Sequence, residues 1–80
     1  MAVVNVLVPD YAEGAKSIKI RDWYVEAGET VSEGQEIAEA GTDKISIYIE
    51  APASGRIVEL LAEPGDRVNV GQVIATIETE

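Results

Sequence analysis

At 80 residues the chain has room for one domain, spanning 1–80, built on one hydrophobic core. Cysteine and histidine are both absent, which removes disulfide staples, thiolate metal sites and the two side chains that most often serve as base or nucleophile near neutral pH, so a self-contained enzyme is disfavoured. Fifteen acidic against six basic residues give a net charge of −9, which repels nucleic acid and anionic membranes, while 46% apolar residues suffice for folding.

From the N-terminus, Val4, Val6 and Val8 alternate with Val3, Asn5 and Leu7, the period of two that marks a strand. No basic signal start or Arg-rich transit pattern is seen there, and the longest apolar runs are only a few residues. The chain is therefore expected to be soluble and intracellular. A polar loop over Asp10 to Gly14 follows, and then Ile18 and Ile20 alternate with Ser17, Lys19 and Arg21 in a second strand.

The next segment carries the main organising feature. Trp23 to Asp43 laid over Leu60 to Glu80 gives matches at Glu26, Gly28, Val31, Gly34, Gln35, Ile37, Ala38 and Thr42, each repeated 37 residues later. In each half an acidic turn with glycine and a Gly-Gln pair bracket a single valine, which predicts turn, very short strand, turn, strand. Ser32 and Gln35 have capping-box spacing, but Gly34 between them and the β-rich segment that follows argue against a helix. Ile45, Ile47 and Ile49 alternate with Ser46, Tyr48 and Glu50, and Val73, Ala75 and Ile77 form a comparable inner row. The pattern predicts about eight strands in a flattened all-β barrel or sandwich, two four-stranded antiparallel sheets related by a pseudo-two-fold axis.

Between the strand ending near Ala40 and the isoleucine row, Gly41-Thr42-Asp43-Lys44 reads as a tight hairpin turn. Asp43 suits it because its carboxylate can bond nearby backbone amides. The repeat places the position equivalent to Lys44 just past Glu80, so Lys44 and the chain end are expected at opposite ends of the molecule. An exposed lysine beside a carboxylate stays protonated and makes a poor Schiff-base catalyst, though another enzyme could readily modify it. Most exposed turn lysines are only solubilising charges.

Residues 40 to 58 decide between those readings. Ala-Gly-Thr-Asp-Lys-Ile-Ser-Ile-Tyr-Ile-Glu-Ala-Pro-Ala-Ser-Gly-Arg-Ile-Val resembles the lipoyl-attachment motif of the acyltransferases of 2-oxo acid dehydrogenase complexes. Thr42, Asp43, Lys44, Ala51, Pro52 and Gly55 match the pattern, with Val8-Pro9, Trp23, Gly28, Gly34, Gly65 and Gly71 in order around them. Two positions depart from it: Gly41 stands where members often carry Glu, and Ile45 where they often carry a small residue.

The resemblance implies a barrel-sandwich hybrid whose Lys44 is joined through an amide to lipoic acid, with Thr42 and Asp43 forming the turn read by a lipoate-attaching enzyme. It implies a non-catalytic carrier, monomeric in isolation. Its partners would be a thiamine-dependent 2-oxo acid decarboxylase, an acyltransferase catalytic domain and dihydrolipoamide dehydrogenase, in the cytoplasm or, for a eukaryotic protein, the mitochondrial matrix. Tyr11 and Glu13, in the loop after the first strand, are the implied partner contacts. Trp23 is expected at the core's edge and Tyr48 on an outer face. No Asp-rich loop has calcium spacing, so no metal is expected. A biotin carrier, similar in fold, is the first rival, but biotin carriers usually set methionines beside the lysine where this chain has Asp43 and Ile45. An unmodified barrel-sandwich module that binds another protein is the second.

Overall fold

The computed structural model describes residues 2–9, 18–42 and 45–79. Eight strands form in chain order: β1 (Ala2–Leu7), β2 (Ile18–Trp23), β3 (Thr30–Val31), β4 (Glu36–Gly41), β5 (Ser46–Glu50), β6 (Gly55–Leu60), β7 (Arg67–Val68) and β8 (Val73–Thr79). They assemble into two antiparallel four-stranded sheets, ordered β1-β8-β6-β3 and β5-β4-β2-β7. No helix occurs among the described residues.

Between the sheets lies an aliphatic core in which Ile18, Ile20, Ile37, Ile49, Ile57, Ile74 and Ile77 are all essentially sealed from solvent. β-Branched side chains suit this position because they pack well on a pleated surface, and each one fully buried contributes about 1.5–3 kcal/mol. Among the described residues no polar side chain is buried, so hydrophobic packing carries the fold.

The 37-residue repeat is a true pseudo-two-fold. The turn bond from the Glu29 N–H to the Glu26 carbonyl recurs as Asp66 to Glu63, and Gln35 to Ser32 recurs as Gln72 to Asn69. The Gln35 side chain accepts from the Ser32 N–H at 3.0 Å and Gln72 does the same for Asn69, which makes the capping-box spacing the mark of a closed turn. Gly28 and Gly65, and Gly34 and Gly71, share φ values between 84° and 96°, a left-handed conformation that side chains resist.

The sheets contain four register slips, in two symmetric pairs. Arg21 in β2 matches Val58 in β6, and Ile37 in β4 matches Ile74 in β8, each an extra residue that interrupts alternation. Consequently Ile37 with Ala38, and Ile74 with Ala75, are buried as adjacent pairs, and Ile74 joins the inner row expected to consist of Val73, Ala75 and Ile77. The other isoleucine row also needs correction. Ile49 is buried, Ile47 is half-buried and Ile45 is exposed, because β5 climbs out of the core toward the hairpin that precedes it.

The symmetry breaks in one place. Val8 and Ala51 are equivalent, each bonded through its N–H and carbonyl to a Gly-Gln turn. The step from Val8 to Ile18 is ten residues and that from Ala51 to Gly55 is four, so the first half carries six additional residues between β1 and β2.

Candidate functional site

Strands β4 and β5 meet at a closed base. Gly41 pairs with Ser46, and beyond that pair the Thr42 N–H donates to the Ile45 carbonyl at 2.9 Å while the Ile45 N–H donates to Thr42 Oγ1 at 3.2 Å. Only two residues, Asp43 and Lys44, connect Thr42 to Ile45. A two-residue link between paired strands is the shortest common hairpin connection. Asp43 and Lys44 lie outside the described residues, as do Tyr11 and Glu13, and Thr42 is therefore the expected site residue whose contacts are described.

Two features hold this base, the first missed by sequence reasoning and the second seen only as a departure from the lipoyl pattern. The first is Arg21. Because it is the bulged residue of β2, its side chain reaches over the neighbouring β4 to β5, where Nη1 donates to Ser46 Oγ at 3.0 Å and Nη2 to the Thr42 carbonyl. One guanidinium thus ties both arms of the hairpin to the adjacent strand, a use of the planar fork that lysine could not reproduce. The signal was present in the sequence: the apolar phase slips from Ile18 and Ile20 to Trp23 and Val25, which marks an extra residue between them. The second is Gly41. A Cβ at that position would lie 2.2 Å from the Ile45 carbonyl oxygen and 3.0 Å from the Ser46 Cα, so the close approach of β4 to the start of β5 requires glycine.

The sheet register fixes where this hairpin lies. Lys19 of β2 pairs with Gly41 on one side and with Arg67 of β7 on the other. β7 leads within a few residues to Gly71, whose N–H donates to the Val8 carbonyl at 2.9 Å. The end of β1, the start of β2, β7 and the start of β8 therefore all gather at the hairpin end. β8 then runs away for seven residues, about 20 Å at a strand's rise, until Thr79 pairs with Ala2. Val8 and Ile18, which flank the six additional residues in sequence, both lie at the hairpin end.

Trp23 is half-buried at the edge of the core, its Nε1 donating to the Ala62 carbonyl at 2.8 Å, and Tyr48 is exposed on the outer face of β5, as expected. No cluster of three or more His, Cys, Asp or Glu side chains able to hold a metal ion occurs among the described residues.

A family model described as "Biotin-requiring enzyme" matches residues 4–77. The chain is 33% identical over 75 residues to the lipoamide acyltransferase component of the branched-chain alpha-keto acid dehydrogenase complex of Pseudomonas putida, covering 94% of this chain and 18% of that protein. It is 39% identical over 73 residues to the dihydrolipoyllysine-residue succinyltransferase component of the 2-oxoglutarate dehydrogenase complex of Staphylococcus saprophyticus, covering 91% of this chain and 17% of that one. The chain thus spans less than a fifth of the length of either relative. Among solved structures it is similar to the lipoyl domain of the 2-oxoglutarate dehydrogenase complex from Azotobacter vinelandii, with a TM-score of 0.76 and 25% identity over 95% of this chain and 96% of that one. With nearly its whole length matched by the family model and by these relatives, the chain belongs to the family of biotinyl and lipoyl carrier domains.

Proposed function

We propose that this chain is a lipoyl carrier domain in which Lys44 is linked through an amide to lipoic acid, and which moves acyl groups and reducing equivalents between the active sites of a 2-oxo acid dehydrogenase complex. The observation that carries the reading is the hairpin base. Two residues, one of them a lysine, are strung between strands locked by the Thr42–Ile45 bonds and the Arg21 clamp, at the end of the fold away from Ala2 and Thr79. Such a base suits an amine that another enzyme must reach and that a tether must then swing.

The residues present fit the group. Covalent attachment needs a lysine and no enclosing pocket, and Thr42 and Ile45, which flank Asp43 and Lys44 in sequence, are fastened to each other by two hydrogen bonds. When bound, the dithiolane supplies the redox and acyl-transfer chemistry that a chain without cysteine or histidine lacks. The polypeptide's part is mechanical. Thr42, Ser46 and Arg21 hold the hairpin's arms, and the fold keeps the attachment point in reach of successive partners, which raises the effective concentration of the tethered group. The lipoate-attaching enzyme, the thiamine-dependent decarboxylase, the acyltransferase catalytic domain and dihydrolipoamide dehydrogenase are the proposed partners, and the cytoplasm or mitochondrial matrix the proposed location. Tyr11 and Glu13 are proposed contacts for the decarboxylase.

Intact mass after incubation with lipoate, ATP and a lipoate-attaching enzyme tests the proposal. One lipoyl increment is expected on the chain and none on Lys44→Arg. A biotin increment from a biotin-attaching enzyme, with no lipoyl increment, refutes it. Offering the lipoylated chain to the decarboxylases of the pyruvate, 2-oxoglutarate and branched-chain complexes then identifies the 2-oxo acid by the fastest reductive acylation.

A further inference from the structure

The pseudo-two-fold supplies an internal comparison between the hairpin end and the end where Ala2 pairs with Thr79. At the latter, Arg56 of β6 lies between Thr30 of β3 and Glu78 of β8. Its guanidinium meets the Glu78 carboxylate at 3.3 Å. The equivalent residue at the hairpin end is Lys19, and there both neighbours differ. Arg67 stands in place of Thr30, and Gly41 in place of Glu78. Two cations thus sit directly opposite each other on paired strands, an arrangement that is destabilising by itself. Among the described residues no carboxylate lies within ion-pairing distance of either.

The exchange extends further. Glu33 and Glu50, both exposed, have Val70 and Leu7 as their equivalents at the hairpin end, and these apolar side chains are 43% and 49% exposed. In a chain of net charge −9, the hairpin end therefore has Gly41, Val70 and Leu7 where the other end has Glu78, Glu33 and Glu50. It also gathers Lys19, Arg21 and Arg67 around an open cleft of about 720 Å³ that Gly41, Thr42 and Gly65 complete. Arg21 is occupied by the hairpin, which leaves Lys19 and Arg67 to face the cleft's contents.

We propose that this cleft receives an acidic side chain of the decarboxylase that reacts with the hairpin, the carboxylate bridging Lys19 and Arg67 where the Glu78 equivalent is missing, with Leu7 and Val70 as apolar contacts beside it. The proposal rests on the carrier function above and names the chemistry of its partner. A protein carboxylate is favoured over a small-molecule one because the cleft is open and its cations solvated. An isolated ion pair in that setting is too weak to hold a free anion, whereas a protein surface adds the burial of the apolar residues. A local basic face on an acidic domain also orients encounter with an acidic partner.

The test uses the lipoylated 80-residue chain as substrate of whichever of the three decarboxylases acylates it fastest. The double variant Lys19→Gln/Arg67→Gln is expected to raise KM about tenfold, to leave kcat within about twofold, and to flatten the dependence of KM on salt. Arg56→Gln, at the symmetry-equivalent position, is expected to leave all three unchanged. Because it removes a like-charge contact, the double variant should also melt no lower than the wild type, which separates a docking role from a structural one.

A double variant whose KM stays within about twofold of wild type overturns the proposal while leaving the carrier function standing, since the wild-type chain is acylated in the same experiment. An equal effect from Arg56→Gln overturns it too, by showing that overall charge and not this cleft is read. So does saturable binding of free succinate at submillimolar concentration, seen as amide shifts confined to Lys19 and Arg67, which assigns the cleft to a small ligand. If no decarboxylase acylates the wild-type chain, the carrier reading fails and the docking proposal falls with it.

Discussion

Replacing Gly41 by alanine sets two effects of opposite sign against each other. Where an added methyl meets only open space and the backbone is relaxed, Gly→Ala stabilises by about 0.4–1 kcal/mol, because it restricts the unfolded chain. At Gly41 the new Cβ would be placed 2.2 Å from the Ile45 carbonyl oxygen, roughly 1 Å inside van der Waals contact. The obstructing atom is backbone and is held by the Thr42 N–H at 2.9 Å, so no side chain can swing aside. Relief requires the start of β5 to move away from β4, at about 1–3 kcal/mol for overpacking and about 1 kcal/mol for the strained hydrogen bond. The clash wins, with a net loss of about 1–3 kcal/mol.

For a domain of this size each kcal/mol moves the midpoint by about 4–8 °C, so Gly41→Ala should melt about 10 °C lower, as followed by circular dichroism. Hydrogen exchange should localise the damage, with the Thr42 amide losing protection while Ile57 in the middle of β6 keeps it. A midpoint equal to or above that of the wild type, with Thr42 still protected, would refute the steric account, leaving only the unfolded-state effect.

Other consequences are as direct. Ile57→Ala empties a site with no solvent exposure and should cost about 2–5 kcal/mol, whereas Val58→Ala, at an exposed bulge one residue on, should stay within about 0.5 kcal/mol; denaturant melts separate them. Gly34→Ala and Gly71→Ala meet nothing within 4 Å, so each should lose only the conformational penalty of about 1–2 kcal/mol, and the symmetry requires the two losses to agree. The Tyr24 hydroxyl donates to Glu39 Oε1 at 2.9 Å, and that hydrogen bond to a carboxylate pushes the phenol up to about 12. Since the folded state holds this proton more tightly than the unfolded one, the contribution is complete below pH 10 and is lost as pH rises toward 12. Ultraviolet titration should show a phenol titrating near 12 that vanishes in Tyr24→Phe, and the gap in midpoint between wild type and variant should close over that window. Arg21→Gln keeps a donor but cannot span Ser46 and Thr42 together, so it should speed exchange of the Ile45 amide and slow lipoylation, measured by intact mass, while global stability changes by less than about 1 kcal/mol.

Alternation and repetition made most of the fold legible. The apolar period of two located the long strands, and a repeat over 21 positions implied that the turns around Gly28 and Gly34 would recur around Gly65 and Gly71, where the structure shows the same hydrogen bonds. What alternation cannot register is a residue that breaks it. Ile37 and Ile74 sit at slips in the strand pairing and are buried beside an already buried alanine, which a strict inner and outer assignment disallows. The same limitation concealed Arg21: it was placed on an outer face, correctly, but the bulge that aims it at the hairpin shows only as a change of phase between Ile20 and Trp23. Gly41 was visible as a departure from the lipoyl pattern, while its cause, a carbonyl 2.2 Å from the absent Cβ, is a three-dimensional fact. Ile45 was expected inward because its neighbours two and four residues on are apolar, yet a strand leaving the core toward a hairpin exposes its first residues whatever their chemistry.

Symmetry also makes function separable from folding in this chain. Whatever the β-sandwich needs, it needs twice, so Ile20 and Ile57, Val31 and Val68, Ile37 and Ile74 and the four left-handed glycines are kept in both halves. Where the halves differ, the shared sandwich does not decide the residue, and the difference answers to what each end does, as Gly41 answers to the close approach of β5 at the hairpin base. The differences gather at one end: six additional residues before β2, a two-residue link holding Lys44 between β4 and β5 where β8 and β1 have none, Arg21 in place of Val58, and Lys19, Arg67 and Gly41 in place of Arg56, Thr30 and Glu78. Of these, the opposed cations weigh most, because the other half holds the less costly arrangement, a cation beside a threonine and paired with a carboxylate. A duplicated fold that keeps the stabilising version at one end and a repulsive version at the other is what the proposed docking requires, with a partner's carboxylate supplying the charge that Glu78 supplies to Arg56.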